Sequence, residues 1–139
     1  MIIPMARLQV LSQVSRLNIG AEDVARGYVD VDCGSHVELR SNARCRLAYR
    51  CSAAWFNFVH VYGFPRAIEF GPEGGGYLRP LERQRTATYL LSYRFDLDPA
   101  TVPGTYLWPL TLAVAGEYPE EAPARPARGA RRMPPSLPA

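Results

Sequence analysis

One run, residues 86–114 (TATYLLSYRFDLDPATVPGTYLWPLTLAV), constrains the fold of this chain more than any other. Tyr89, Leu91, Tyr93, Phe95 and Leu97 alternate with Leu90, Ser92, Arg94 and Asp96. Beyond Gly104, Tyr106, Trp108, Leu110, Leu112 and Val114 alternate with Leu107, Pro109, Thr111 and Ala113. Successive side chains of a strand point to opposite faces, so this period of two predicts two strands, each with one apolar face. Pro109 has no N–H to give to a ladder, which places the second strand at a sheet edge or bulges it there. The intervening DPATVPG is too long for a two-residue hairpin.

The rest of the chain repeats the pattern in shorter pieces. Ile2, Pro4, Ala6, Leu8 and Val10 alternate with Ile3, Met5, Arg7, Gln9 and Leu11, predicting a first strand. Leu17 and Ile19 mark a short piece ending at Gly20, and AEDVARG reads as a loop with a helical turn. Residues 28–33 put Val29, Val31 and Cys33 on one face; Gly34 and Ser35 break that strand; Val37 and Leu39 then point inward ahead of a Ser41-Asn42-Ala43 turn. Residues 44–51 send Cys45, Leu47, Tyr49 and Cys51 one way and Arg44, Arg46, Ala48 and Arg50 the other. Residues 54–62 are apolar on both faces, as expected of a central strand or of one with an exposed aromatic stripe. Residues 67–70 form a short strand, GPEGGG reads as a hairpin loop or lid, and Pro80 marks residues 77–85 as an edge. Short strands punctuated by Gly, Pro and Asn, with almost no helical periodicity, predict an all-β chain with two antiparallel sheets.

A length of 139 residues and a hydrophobic fraction of 47% suit one domain with a useful core. Residues 1–116 are expected to form it. Residues 117–139 carry six prolines and hardly any large apolar side chain after Tyr118, so they are expected to be a disordered Pro/Arg/Ala-rich tail. All 16 basic residues are arginine, yet the net charge is only +3, which demands neither nucleic acid nor an anionic membrane as partner. No run reaches the roughly 18 apolar residues of a membrane helix. MIIPMARLQV lacks a basic region followed by an apolar core and does not read as a signal peptide. Either the protein is cytoplasmic or a leader is missing from this numbering.

The residues that bear chemistry do not assemble into a catalytic set. No G-x-S-x-G, H-E-x-x-H or phosphate-loop pattern occurs, so a non-catalytic protein without cofactor or metal is expected. On a straight strand Cys45 and Cys51 would lie about 20 Å apart at ~3.3 Å per residue. A disulfide needs Cα atoms within roughly 7 Å. This leaves Cys33–Cys45, Cys33–Cys51, or three reduced thiols packed inward as small hydrophobes. His60 reads as a hydrogen-bonded strand residue, and Asp96 and Asp98 as parts of a solvated corner rather than a calcium site. Arg44, Arg46 and Arg50 share one strand face and are expected, with Arg40, to pair with Asp30, Asp32 and Glu38 rather than bind single-stranded nucleic acid. Trp55, Phe56, Phe58 and Tyr62 could form an aromatic face for sugar or peptide, although most aromatics should be core.

The Leu97-x-Pro99…Gly104-x-Tyr106 layout is similar to the crossing corner of immunoglobulin-like sandwiches. There a tyrosine returns its hydroxyl to the preceding backbone, and Tyr106 is assigned that role beside Gly104, with Leu97 and Leu110 beneath it. Together with Ser41-Asn42 and Pro103-Gly104-Thr105-Tyr106, the segments at residues 27–50 and 91–114 resemble bacterial secreted pilin-like sandwiches of the spore-coat-U or archaic fimbrial type. The cysteine positions, Pro109 in the last strand and the proline-rich tail depart from that pattern. The resemblance implies a secreted, periplasmic or cell-surface structural subunit. Its partner would be a chaperone or neighbouring subunit engaged by strand addition, with Ile2, Pro4, Ala6, Leu8 and Val10 as the donor strand. The competing expectation is that these residues form this domain's own first strand. A carbohydrate- or peptide-binding module around Trp55 is the alternative function.

Overall fold

The computed structural model describes residues 5–79 and 85–118. Ile2 and Pro4 of the donor-strand reading, Pro80 and the tail from residue 119 lie outside them. The strands are β1 (Ala6–Gln13), β2 (Arg16–Ile19), β3 (Tyr28–Ser41), β4 (Arg44–Cys51), β5 (Phe56–Tyr62), β6 (Ile68–Phe70), β7 (Gly75–Arg79), β8 (Thr86–Leu97), β9 (Gly104–Leu107) and β10 (Leu110–Tyr118). A single short helix, α1 (Ala21–Arg26), joins β2 to β3 and stops at Gly27, whose φ of 94° is one a residue with a Cβ rarely adopts. The chain is therefore all-β, and every strand pairing among the described residues is antiparallel.

The alternating run 89–97 becomes β8, the middle strand of a five-stranded sheet ordered β1-β3-β8-β5-β6. Tyr89, Leu91, Tyr93, Phe95 and Leu97 are all buried, while Leu90 in the opposite phase is exposed. Register lines up rows of inward side chains: Val29, Phe95 and Val59 in one, Val31, Tyr93 and Val61 in the next. Burying each large apolar side chain of this kind contributes about 1.5–3 kcal/mol.

The second sheet, ordered β10-β4-β7, presents Cys45, Leu47, Tyr49, Tyr77, Leu110 and Leu112 to the same core. Tyr49 meets Tyr93 edge-on with centroids 6.1 Å apart, and their hydroxyls are hydrogen-bonded at 2.9 Å. Tyr93 donates onward to Ser35 Oγ at 2.9 Å, and Ser35 to Gln13 Oε1 at 3.3 Å. One polar chain thus ties β4, β8, β3 and β1 together through the interior.

The second half of the run 86–114 is two strands, not one. β9 pairs with β2 in a separate two-stranded ribbon, Trp108 and Pro109 interrupt, and β10 then forms an edge of the three-stranded sheet. The chain thereby crosses from one sheet to the other. Trp108 stands edge-on to Tyr93 and Phe95 at 4.9 and 5.5 Å, in the same core as buried Leu110. β10 continues to Tyr118, two residues past the expected domain limit at 116.

Two other differences from the sequence reading come from bulges, in β3 and β5. β3 is continuous through Gly34 and Ser35, with its register to β8 shifted between Val31 and Ser35. Cys33 sits in that bulge at φ 54°, so it is exposed rather than inward. Cys45 is buried and Cys51 half-buried, and none of the three cysteines is joined in a disulfide. In β5 a shift between Phe56 and Phe58 leaves Asn57 and Phe58 both outside, so Phe56 and Val59 both face in. GPEGGG is no hairpin loop or lid: it carries the chain from β6 in one sheet to β7 in the other. Its glycines allow close backbone approach, since a Cβ on Gly76 would lie 2.3 Å from Leu47 O.

Candidate functional site

The expected aromatic face divides. Phe56 is buried to 1% exposure and belongs to the core. Trp55 is half-buried, its ring within 5.1–5.3 Å of Phe56, Phe95 and Tyr106. Its backbone oxygen accepts from Thr101 Oγ1 at 2.7 Å, fastening the start of β5 to the corner after β8. On that corner Asp98 accepts from the Ala100 N–H at 2.8 Å, and the Tyr106 hydroxyl donates to Val102 O. Gly104 begins β9 directly opposite Ile19.

Phe58 and Tyr62 remain outside, 49% and 46% exposed, although β5 is an interior strand. They share the outer face with His60, which lies midway between them. Four strand positions make the stripe about 13 Å long at ~3.3 Å per residue. Register sets Phe58 opposite Asp96, His60 opposite Arg94 and Glu69, and Tyr62 opposite Ser92. His60 Nε2 lies 2.9 Å from Asp96 Oδ2, and Nδ1 lies 3.3 Å from Glu69 Oε2. A neutral imidazole can donate to one of these carboxylates, and an imidazolium to both.

Beside it, Arg94 grips Asp30 with two parallel hydrogen bonds, Nε–Oδ1 at 2.7 Å and a second nitrogen to Oδ2 at 3.0 Å. The hydrogen bond from Arg94 holds the Asp30 carboxyl below its usual range, and the same bond raises the Arg94 guanidinium. Arg94 also lies over the Tyr28 ring, 4.0 Å from its centroid, and Arg26 contacts that ring at 4.6 Å. The face combines two exposed rings with a fixed lattice of charges. Among the described residues no group of three or more His, Cys, Asp or Glu gathers as a metal site. No helix among them is long and apolar enough to cross a membrane.

The arginines pair only in part as expected, Arg40 with Glu38 being the expected pair. Asp30 is taken by Arg94 and Glu38 by Arg40 at 3.7 Å, both on the five-stranded sheet. Arg46 and Arg50 are exposed on the outer face of β4, in the other sheet, out of reach of those carboxylates. The lattice of Tyr28, Asp30 and Arg94 was readable as the polar phase of two strands, but not as a pair 64 positions apart.

Ala6, Leu8 and Val10 lie on β1, which pairs in register with this chain's own β3: Ala6 with Ser41, Leu8 with Leu39, Val10 with Val37. Ala6 and Leu8 pack on the core, but Val10 is 45% exposed because three strands opposite five leave the β1 end partly uncovered. β1 is a sheet edge, mostly exposed along its length, bulged between Val10 and Ser12, with Met5 and Leu11 also exposed. Comparison with protein-family models, with curated proteins and with solved structures gives no match.

Proposed function

We propose that the chain is a non-catalytic structural subunit, of surface or fimbria-associated type on an immunoglobulin-like sandwich, that joins a protein partner through strand edges. The observation that carries this reading is β1. It is an N-terminal edge strand held mainly by its ladder to β3, with Met5, Val10 and Leu11 exposed. Such an edge offers unpaired N–H and C=O groups to an added strand, and β1 itself can leave and serve another copy. The bulge at Leu11 restricts regular pairing to the stretch before it. A chaperone or a neighbouring subunit is the partner class, which agrees with the secreted, periplasmic or cell-surface setting that the sequence resemblance implies.

The test is concentration-dependent mass measurement of the full chain and of a chain lacking residues 1–12. Strand exchange predicts oligomers for the full chain that vanish on truncation; a monomer in both cases ends this reading. A second reading, a carbohydrate- or peptide-binding module, draws on the exposed Phe58–His60–Tyr62 stripe. It predicts that Phe58→Ala and Tyr62→Ala each abolish oligosaccharide or peptide binding while the melting temperature holds. Binding retained by both variants would remove it.

A further inference from the structure

We propose that a groove formed by β1, β3 and the start of β8 binds an oxyanion, the phosphate or carboxylate group of a small molecule. The groove encloses a cavity of about 480 Å³, within the ~300–1,000 Å³ typical of small-molecule sites. Among the described residues, Arg7, Arg40 and Arg85 line it, with Gln9, Thr86 and one carboxylate, Glu38.

The sheet register puts Arg7 directly opposite Arg40, and Arg40 opposite Thr86. Like charges facing each other across two strands destabilise the sheet, so a fold that keeps both arginines gains from something that bridges them. Glu38 reaches only Arg40, at 3.7 Å. Arg7 and Arg85 have no ion-pair partner among the described residues. Among the described residues, three cations against one carboxylate leave an excess of positive charge in a concave site. Guanidinium forks match the two-point geometry of phosphate and carboxylate oxygens, and the Thr86 hydroxyl and Gln9 amide add neutral donors at the rim.

A small anion fits better than a nucleic acid. Of the other exposed arginines, Arg46 and Arg50 lie on the outer face of the opposite sheet, Arg16 on β2, Arg26 at the end of α1 and Arg66 between β5 and β6, dispersed over separate elements rather than set in one row.

The experiment titrates the full chain by calorimetry with inorganic phosphate, phenyl phosphate and acetate, beside Arg7→Gln, Arg40→Gln and the control Arg50→Gln. The expected result is saturable binding of at least one anion. Arg7→Gln and Arg40→Gln should each weaken it at least about tenfold, or ~1.4 kcal/mol, while Arg50→Gln leaves it unchanged. Without ligand, Arg7→Gln should melt at or above the parent temperature, because a like-charge pair has been removed. Phenyl phosphate binding tighter than inorganic phosphate identifies a phosphorylated molecule, equal affinity identifies the free anion, and a preference for acetate identifies a carboxylate. No saturable binding, or an equal loss in Arg50→Gln, overturns the proposal.

Discussion

At the scale of single residues, the hydroxyl chain through the core is the feature with the largest energetic consequence. Tyr93 joins Tyr49 of the facing sheet to Ser35 of its neighbouring strand, and removing its oxygen leaves two buried groups short of a partner. Tyr93→Phe should cost about 1–3 kcal/mol, read from urea unfolding midpoints. That Tyr93 points inward was legible from alternation alone. That its hydroxyl finds Tyr49, 44 positions away and in the other sheet, was not, because strand periodicity carries no information about which sheets face each other.

Two of these buried hydroxyls, with the half-buried Cys51 thiol, also fix the sign of the alkaline response. Burial raises the Tyr49 and Tyr93 hydroxyls above their ordinary 10.0, and burial with the Glu73 charge pushes the Cys51 thiol from 9.0 up to about 11. Each keeps its proton in the fold and loses it sooner in the unfolded chain. Stability they contribute is fully present below pH 9 and declines as pH rises, first between 9 and about 11 through Cys51 and above 10 through the tyrosines. Unfolding midpoints measured across that range should fall, and the fall should be smaller in Tyr49→Phe/Tyr93→Phe. At about pH 8, iodoacetamide should label native Cys33 well before Cys45 and Cys51, since access governs the rate.

At the scale of elements, strands were legible and their irregularities were not. The polar and apolar phases of β4 and β8 read directly from residues 44–51 and 89–97, because neither strand contains an extra residue. β5 gains one at a bulge, which flips its phase and leaves Phe58 outward and Phe56 inward; β3 gains two between Val31 and Ser35, which keeps its phase on either side and turns Cys33 outward within the bulge. A bulge leaves little trace in a sequence whose residues on both sides are apolar. The GPEGGG segment misled for a related reason: glycines that suggest a mobile loop here permit backbone contact. Gly74 has φ 95° and its Cβ would stand 2.4 Å from Tyr49 O. Gly74→Ala should therefore cost more than about 1 kcal/mol, visible as a lower urea midpoint. Tyr106→Phe, which frees Val102 O at the crossing corner, should cost a smaller amount, about 0.5–1.5 kcal/mol.

At the scale of the whole molecule, two antiparallel sheets of five and three strands share a core, and the outer surfaces differ in kind. The five-stranded face carries exposed rings, the Asp30–Arg94 pair and the arginine-lined groove; the three-stranded face carries exposed Arg46 and Arg50. All-β class followed from period two along most of the chain. The candidate surfaces were only half legible, because a face is assembled from strands far apart in sequence and an edge is defined by the strand that is missing beside it. β6 is very short, and β1 and β10 are bulged, so regular strand addition is restricted at these three edges. Of the four edges, β1 is the N-terminal one, and it exposes Val10 and Leu11.

The most direct measurement locks that strand in place. Gln9 faces Glu38 in register, so Gln9→Cys/Glu38→Cys on a Cys33→Ser background can tie β1 to β3. A fluorescent peptide of residues 2–13 is then offered to the locked and unlocked chains. Exchange of β1 predicts capture by the unlocked chain, none by the oxidised one, and recovery on reduction. Equal capture by both, or by neither, would contradict it.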